Sequence, residues 1–292
     1  MSKRILITGA KGQLGLFLSY SLGKVFNVVS TSKNPENKDI IHMDVSSKKD
    51  VENILTKYYP EIIINCASFN DVDSCEIEKE YSRGVIFRGL QNILKYSDKN
   101  CNIIHISSDY VFDGFKRSYT EYDKPNPVNY YGKLKLEAEN LLMSSNRCFS
   151  IFRCSTLFSH YIYNKSNFLA WVYNNLKSNK KINVVVDQVS NPTSVELISE
   201  VAQAVIMLNN YDIYNVGCLE PINRYNFAVK IANLFGFNSN LINSVDSKVI
   251  NFKANRPKNT YLKTDKILNE LNIDVYSIDY YLNRSKERVL DE

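Results

Sequence analysis

A chain of 292 residues, 44% of them hydrophobic, can bury a sizeable core, which argues against intrinsic disorder and for one large or two modest domains. The formal charge of +5 is modest and its 36 Lys and Arg are spread without an Arg-rich run, so no nucleic-acid partner is expected, while an anionic small substrate is compatible. Cys66, Cys75, Cys101, Cys148, Cys154 and Cys218 form no CxxC pair and have no close histidine, so neither a zinc site nor a disulfide framework is signalled and no metal is expected.

No apolar run reaches 18 residues, and the opening MSKRILITGAKGQLG meets its glycines too early for a signal peptide. A cytoplasmic protein without membrane association is the expectation. RILITG (4–9) reads as a strand ending in glycine, followed by a helix-capable QLGLFLSYSLGKVF and a second apolar run, NVVSTS (27–32). Further strand-like runs follow at EIIINCAS (61–68), NIIHISS (102–108) and FSIFRCS (149–155). Helical-period segments separate them, such as VENILTKYY (51–59) and FRGLQNILKYS (87–97). That alternation predicts an α/β fold with a doubly wound parallel sheet. Beyond about residue 156 it loosens into a helix-like 167–178, a strand-like 182–186, a helix-like 195–208 and a polar tail from 217. The expected division is therefore a nucleotide-binding domain over 1–155 plus about 190–215. About 156–189 and 216–292 would make a smaller α/β substrate domain.

Gly9-Ala10-Lys11-Gly12-Gln13-Leu14-Gly15 follows the first strand and opens the first helix. Glycines there allow a tight turn and let backbone N–H groups approach a pyrophosphate, which the helix N-terminus favours. An NAD site usually ends its second strand in an acid, yet here Ser30-Thr31-Ser32-Lys33 stands, and a hydroxyl beside a lysine suits a 2′-phosphate. NADPH is thus the expected cofactor, with NADH the open alternative. Asp44 and Val45 are placed to meet the adenine, although Asp44 would serve equally as a helix cap.

The run Asn129-Tyr130-Tyr131-Gly132-Lys133-Leu134-Lys135 carries two tyrosines and two lysines at helical spacings. Tyr131 and Lys135 share one face, Tyr130 and Lys133 a neighbouring one, so spacing alone leaves both pairs open. Ser107-Ser108-Asp109-Tyr110 ends a predicted strand, on the carboxyl edge where open α/β sheets bind ligands.

Together with GAKGQLG, NCAS (65–68) and Tyr131-x-x-x-Lys135, the stretch SSDYVFDG (107–114) resembles the extended short-chain dehydrogenase/reductases, a Rossmann family. It is most similar to the dTDP-4-dehydrorhamnose reductases, as are DQVSNPTS (187–194) and ANRPKN (254–259). The resemblance spans nearly the whole chain. It implies reduction of the C4 keto group of a nucleotide-linked 4-keto-6-deoxysugar, with Ser108, Tyr131 and Lys135 catalytic. It further implies that Gly9, Gly12, Gln13, Leu14, Gly15, Ser32, Lys33, Asp44, Val45, Cys66, Ala67, Ser68, Tyr131 and Lys135 hold the cofactor. Ser108, Asp109, Thr156, Asn167 and Arg256 would meet the substrate, and a homodimer stays open. Related dehydratases carry a glutamate where Tyr110 stands, and GDP-fucose synthases a cysteine where Asp109 stands, so plain ketoreduction fits best.

Several positions depart from that pattern. Ile86 occupies the place of an asparagine that holds a water in the proton path, and Thr156 that of a tryptophan lying against the sugar. Ser190 and Asn259 replace a glycine and a serine, and Phe17 a glutamate used for a magnesium-bridged interface. These departures leave a second reading, a nucleotide-binding interaction subunit resembling the regulatory subunit of methionine adenosyltransferase.

Overall fold

The computed structural model describes residues 2–36, 38–163 and 167–291. Strands β1 (Arg4–Thr8), β2 (Asn27–Ser32), β3 (Ile40–His42), β4 (Ile62–Asn65), β5 (Asn102–Ser108) and β6 (Phe149–Cys154) lie in the central sheet. The shorter β7 (Leu157–Phe158), β8 (Ile182–Val185), β9 (Val189–Ser190) and β10 (Thr193–Ser194) follow, then β11 (Ile213–Val216), β12 (Ile222–Asn223) and β13 (Ile242–Val245). The sheet order is β11-β6-β5-β4-β1-β2-β3, every pairing parallel. The order reverses between β1 and β4, and the crevice outside the carboxyl ends at such a reversal is where doubly wound sheets take ligands.

Helices α1 (Gln13–Leu22), α2 (Lys48–Tyr58), α3 (Val72–Ile77), α4 (Lys79–Arg83), α5 (Gly89–Tyr96) and α6 (Tyr130–Met143) lie between the first six strands. Later come α7 (Phe168–Lys177), α8 (Val195–Leu208), α9 (Arg224–Phe235), α10 (Asp265–Leu271) and α11 (Ile278–Asp291). The period-2 alternation of the strands decides the layering. Ile5, Ile7, Ile62, Ile64, Ile104 and Ile106 pack with α1 and α8 on one face. Leu6, Ile63, Ile103 and Ile151 pack with α2, α5 and α6 on the other. The first cluster continues into Leu169, Val184 and Phe227, so α7, β8 and α9 share core with the sheet.

Three features depart from the sequence expectation. The edge strand β3 has only three residues and pairs with β2, too short for a pattern to reveal. The tail beyond 217 holds β13, which pairs in parallel with β8. Most consequential, Gly84–Arg88 form a π-helical turn between α4 and α5, a widened stretch often found at functional sites. Among the described residues no helix is long and apolar enough to cross a membrane.

Candidate active site

The β1–α1 turn is built for close approach. Gly9 has a φ of +67°, and a Cβ there would lie 2.9 Å from the backbone nitrogen of Ala67 after β4. Gly12 precedes α1 without a side-chain cap, so the first amides of the helix are left for another acceptor. Across the reversal Thr8 Oγ accepts from the Ala67 amide at 3.0 Å and donates to Asn65 Oδ1 at 2.7 Å. Asn65 Nδ2 in turn donates to His105 Nδ1 at 3.1 Å, which locks the floor of the crevice. Burial, with Lys135 nearby, brings His105 down to about 3, so this imidazole is neutral.

Cys66, Ala67 and Ser68 are half-buried on that floor, and Ser68 Oγ is enclosed with no partner. The uncapped amides and this orphan hydroxyl fit a dinucleotide's phosphates and ribose. Gln13 and Leu14 are buried, and Gln13 Oε1 accepts from Ser159 Oγ at 3.0 Å. At the end of β2, Ser32 is buried and Lys33 reaches Asp44 at 2.9 Å. The bond to Asp44 holds the Lys33 ammonium above its ordinary pKa. Asp44 also accepts from Ser46, while the cap of α2 is Ser47. The Val45 side chain is buried in the core, where it contributes packing.

Helix α6 begins at an Asn129 cap accepting from the Gly132 amide at 2.8 Å. A Cβ on Gly132 would lie 2.1 Å from the Tyr110 carbonyl oxygen, so glycine lets α6 press against the end of β5. That contact brings Ser108, Tyr131 and Lys135 to one place. Ser108 Oγ donates to Asp109 Oδ1 at 3.0 Å and accepts from the Tyr110 amide. Burial raises the Tyr131 phenol above its ordinary value, against the pull of the Ser108 hydroxyl, which keeps it protonated. Its hydroxyl also donates to Asn70 Oδ1 at 3.5 Å. Lys135 Nζ donates to the Ile106 carbonyl at 3.0 Å, and burial brings it down to about 8. Tyr130 instead donates its amide proton to Glu76 Oε1, and Lys133 is exposed.

Behind Tyr131, Ile86 packs in one cluster with Cys75 and Leu134, placed there by the π-helical turn. Below Lys135, Glu139 is fully buried against Arg153 and accepts from Ser107, so the end of β5 is tied to α6 and β6.

The remaining predicted residues have distinct surroundings. Asp109 is buried with its second oxygen accepting from Thr260, 151 residues away, and burial raises its carboxyl. Asn167 caps α7 and spends its amide on Ser159 and Tyr161. Thr156 Oγ1 is enclosed without a partner. Arg256 pairs with Asp73 at 3.0 Å, leaving Nη1 unpartnered. It lines a cleft of about 440 Å³ with Lys248, Lys258 and Val128.

Sequence reasoning gave no sign of Thr260, whose hydroxyl donates to Asp109 from a distant segment.

A family model described as RmlD substrate binding domain matches residues 3–289. A dTDP-4-dehydrorhamnose reductase of Aggregatibacter actinomycetemcomitans is 32% identical over 280 residues, covering 90% of this chain and 92% of that protein. The rat methionine adenosyltransferase 2 subunit beta is 27% identical, covering 91% and 82%. The solved Bacillus anthracis dTDP-4-dehydrorhamnose reductase in complex with NADP superposes with a TM-score of 0.88 at 27% identity, covering 99% of this chain and 100% of that one.

Proposed function

Because the chain belongs to the RmlD substrate-binding family of extended short-chain dehydrogenase/reductases, we propose that it reduces the C4 keto group of a nucleotide-linked 4-keto-6-deoxysugar with NADPH. The observation that carries this reading is the meeting of Ser108, Tyr131 and Lys135 beside the glycine turn. Bound NADPH supplies the hydride to C4. Tyr131 gives its proton to the C4 oxygen, and Ser108 steadies that oxygen by a hydrogen bond. The Lys135 ammonium stabilises the phenolate that Tyr131 becomes, which offsets the cost of charging a buried phenol. Gly9, Gly12 and Gly15 cradle the pyrophosphate, Ser68 lies along the floor, and Lys33 faces the 2′-phosphate.

Arg256 is assigned to the substrate's phosphates, since its guanidinium keeps an unpartnered donor. Asp109 and Asn167 act by holding Ser108 and α7 in place. We assign residues 1–155 with about 190–215 to cofactor binding and the rest to the substrate. The test is NADPH oxidation, followed by nicotinamide absorbance, with dTDP-4-dehydrorhamnose and related 4-keto nucleotides.

A second reading, an interaction subunit that binds NADP(H), draws on Ile86, which cannot hydrogen-bond a water behind Tyr131. Tight NADPH binding with no oxidation across those sugars would favour it.

A further inference from the structure

Tyr131, Lys135 and Glu139 follow one another at i, i+4 and i+8 on α6, so they form one buried stripe on one face of the helix. The stripe lies against the end of β5, where two consecutive residues meet it. Lys135 Nζ donates to the Ile106 carbonyl at 3.0 Å, and Ser107 Oγ donates to Glu139 Oε1. The next residue of the strand is Ser108, so a displacement of Glu139 moves the strand end that holds both Ser108 and the carbonyl bonded to Lys135.

Glu139 is itself fixed from a third element. Arg153 on β6 lies opposite Ser107 in the sheet, its Nε at 3.2 Å from both carboxylate oxygens and its Nη2 at 2.8 Å from Oε2. Arg153 also donates to the Glu121 carbonyl and lies over the Phe112 ring at 5.2 Å, which holds the fork in place.

The charge balance around Lys135 points to the same residue. The groups that face its buried ammonium are Cys66 after β4, His105 on β5, Cys75 on α3, Cys154 on β6, and Tyr131 and Glu139 on its own helix. Burial pushes the Cys66 thiol up to about 12, Cys75 to about 11 and Cys154 further up, so all three are uncharged near neutral pH. His105 is neutral and Tyr131 keeps its proton. Of these groups only Glu139, paired with Arg153, brings a negative charge, and it pulls Lys135 back toward the charged form against burial.

We propose that Glu139 is the positioning residue for Lys135: through Ser107 it fixes the strand end that receives the ammonium, and its carboxylate is the counter-charge that keeps this buried amine protonated. Its part in turnover rests on the reductase reading, whereas its hold on the ammonium is measurable without turnover.

Lysine isotope-labelled at Cε and titrated by carbon NMR gives that measurement, the Lys135 resonance being the one absent from K135M. Its midpoint lies at about 8 in the wild type and should fall by about one pH unit or more in E139Q. The alkaline limb of kcat/KM for NADPH oxidation should move with it, a readout that a purely structural glutamate leaves in place. Should E139Q fail to fold, E139Q with R153M removes the stranded guanidinium, and the same midpoint decides. S107A keeps the ion pair and cuts only the tie to β5, so kcat should fall about tenfold with KM for NADPH within about twofold. An unshifted Lys135 midpoint in the folded Glu139 variant overturns the counter-charge, and wild-type kcat in S107A overturns the positioning. A shifted midpoint in a chain that oxidises no NADPH with any of the 4-keto nucleotides bears out the hold on Lys135 and overturns the reductase reading itself.

Discussion

Lys135 stands one helical turn beyond Tyr131, its ammonium 5.7 Å from the centre of the Tyr131 ring and bonded to the carbonyl of Ile106. The bond turns the charge toward the end of β5, where the nicotinamide and Tyr131 would meet. One cation thus orders the strand end and lies alongside the ring of the phenol.

Tyr131→Phe keeps the ring and its packing and removes only the hydroxyl. Turnover should fall by about 10³-fold or more, within the range of lost general acid catalysis plus the associated proton route. NADPH affinity should stay within about twofold by the same reasoning. Retained turnover in stopped NADPH-oxidation assays would remove Tyr131 from the mechanism.

The lowered pKa of Lys135, about 8, gives a pH signature in both rate and stability. Reduction needs the ammonium, so kcat/KM should decline as pH rises through about 8. For stability, the free lysine titrates near about 10.4, so between the two values the unfolded chain binds more protons than the folded one. Stability therefore rises with pH across that window, as the burial penalty is relieved. Urea midpoints of the wild type should climb relative to Lys135→Met from about pH 7.5 to about 10, and parallel curves would show that the lysine is not desolvated.

The buried pair Glu139 and Arg153 should be intolerant of losing one member. Glu139→Met strands a guanidinium inside the protein and should cost about 3–5 kcal/mol in urea unfolding, whereas Glu139→Met with Arg153→Met should cost less. Additive losses would mean that the two side chains are not coupled.

Lys33→Ala tests the choice of cofactor. Its ion pair with Asp44 is partly exposed and exchangeable, so a 2′-phosphate can recruit the ammonium. KM for NADPH should rise about five- to tenfold with KM for NADH nearly unchanged, in keeping with one ionic contact. Equal effects on both cofactors would take Lys33 away from the 2′-phosphate.

Ile86→Asn places an amide in the cluster behind Tyr131. An unsatisfied amide there costs about 1–3 kcal/mol, so the thermal midpoint should drop by several degrees. An unchanged midpoint would mean that water already reaches that wall.

The sheet and the glycine turn were legible because each rests on short-range pattern: continuous apolar runs rich in isoleucine in β1, β4 and β5, and glycines where the backbone takes φ of +67° or meets a neighbouring carbonyl. The π-helical turn was not, since Gly84–Arg88 carries the same helical period as its neighbours and differs only in hydrogen-bond register. Asp109 and Asn167 were expected to meet the substrate, and the structure adds what the sequence does not show, that they bond Thr260, Ser159 and Tyr161. Such commitments depend on partners distant in the chain.

By itself the sequence determined which residues share a local face and what chemistry they bring: a Tyr and Lys one turn apart, a serine at a strand end, a glycine loop for phosphates. Only the tertiary structure decided which charges are free, because burial and electrostatic pairing are sums over neighbours in space. It joined Lys33 to Asp44, desolvated Lys135, set Ile86 against Tyr131, and laid Arg224 over the Phe168 ring.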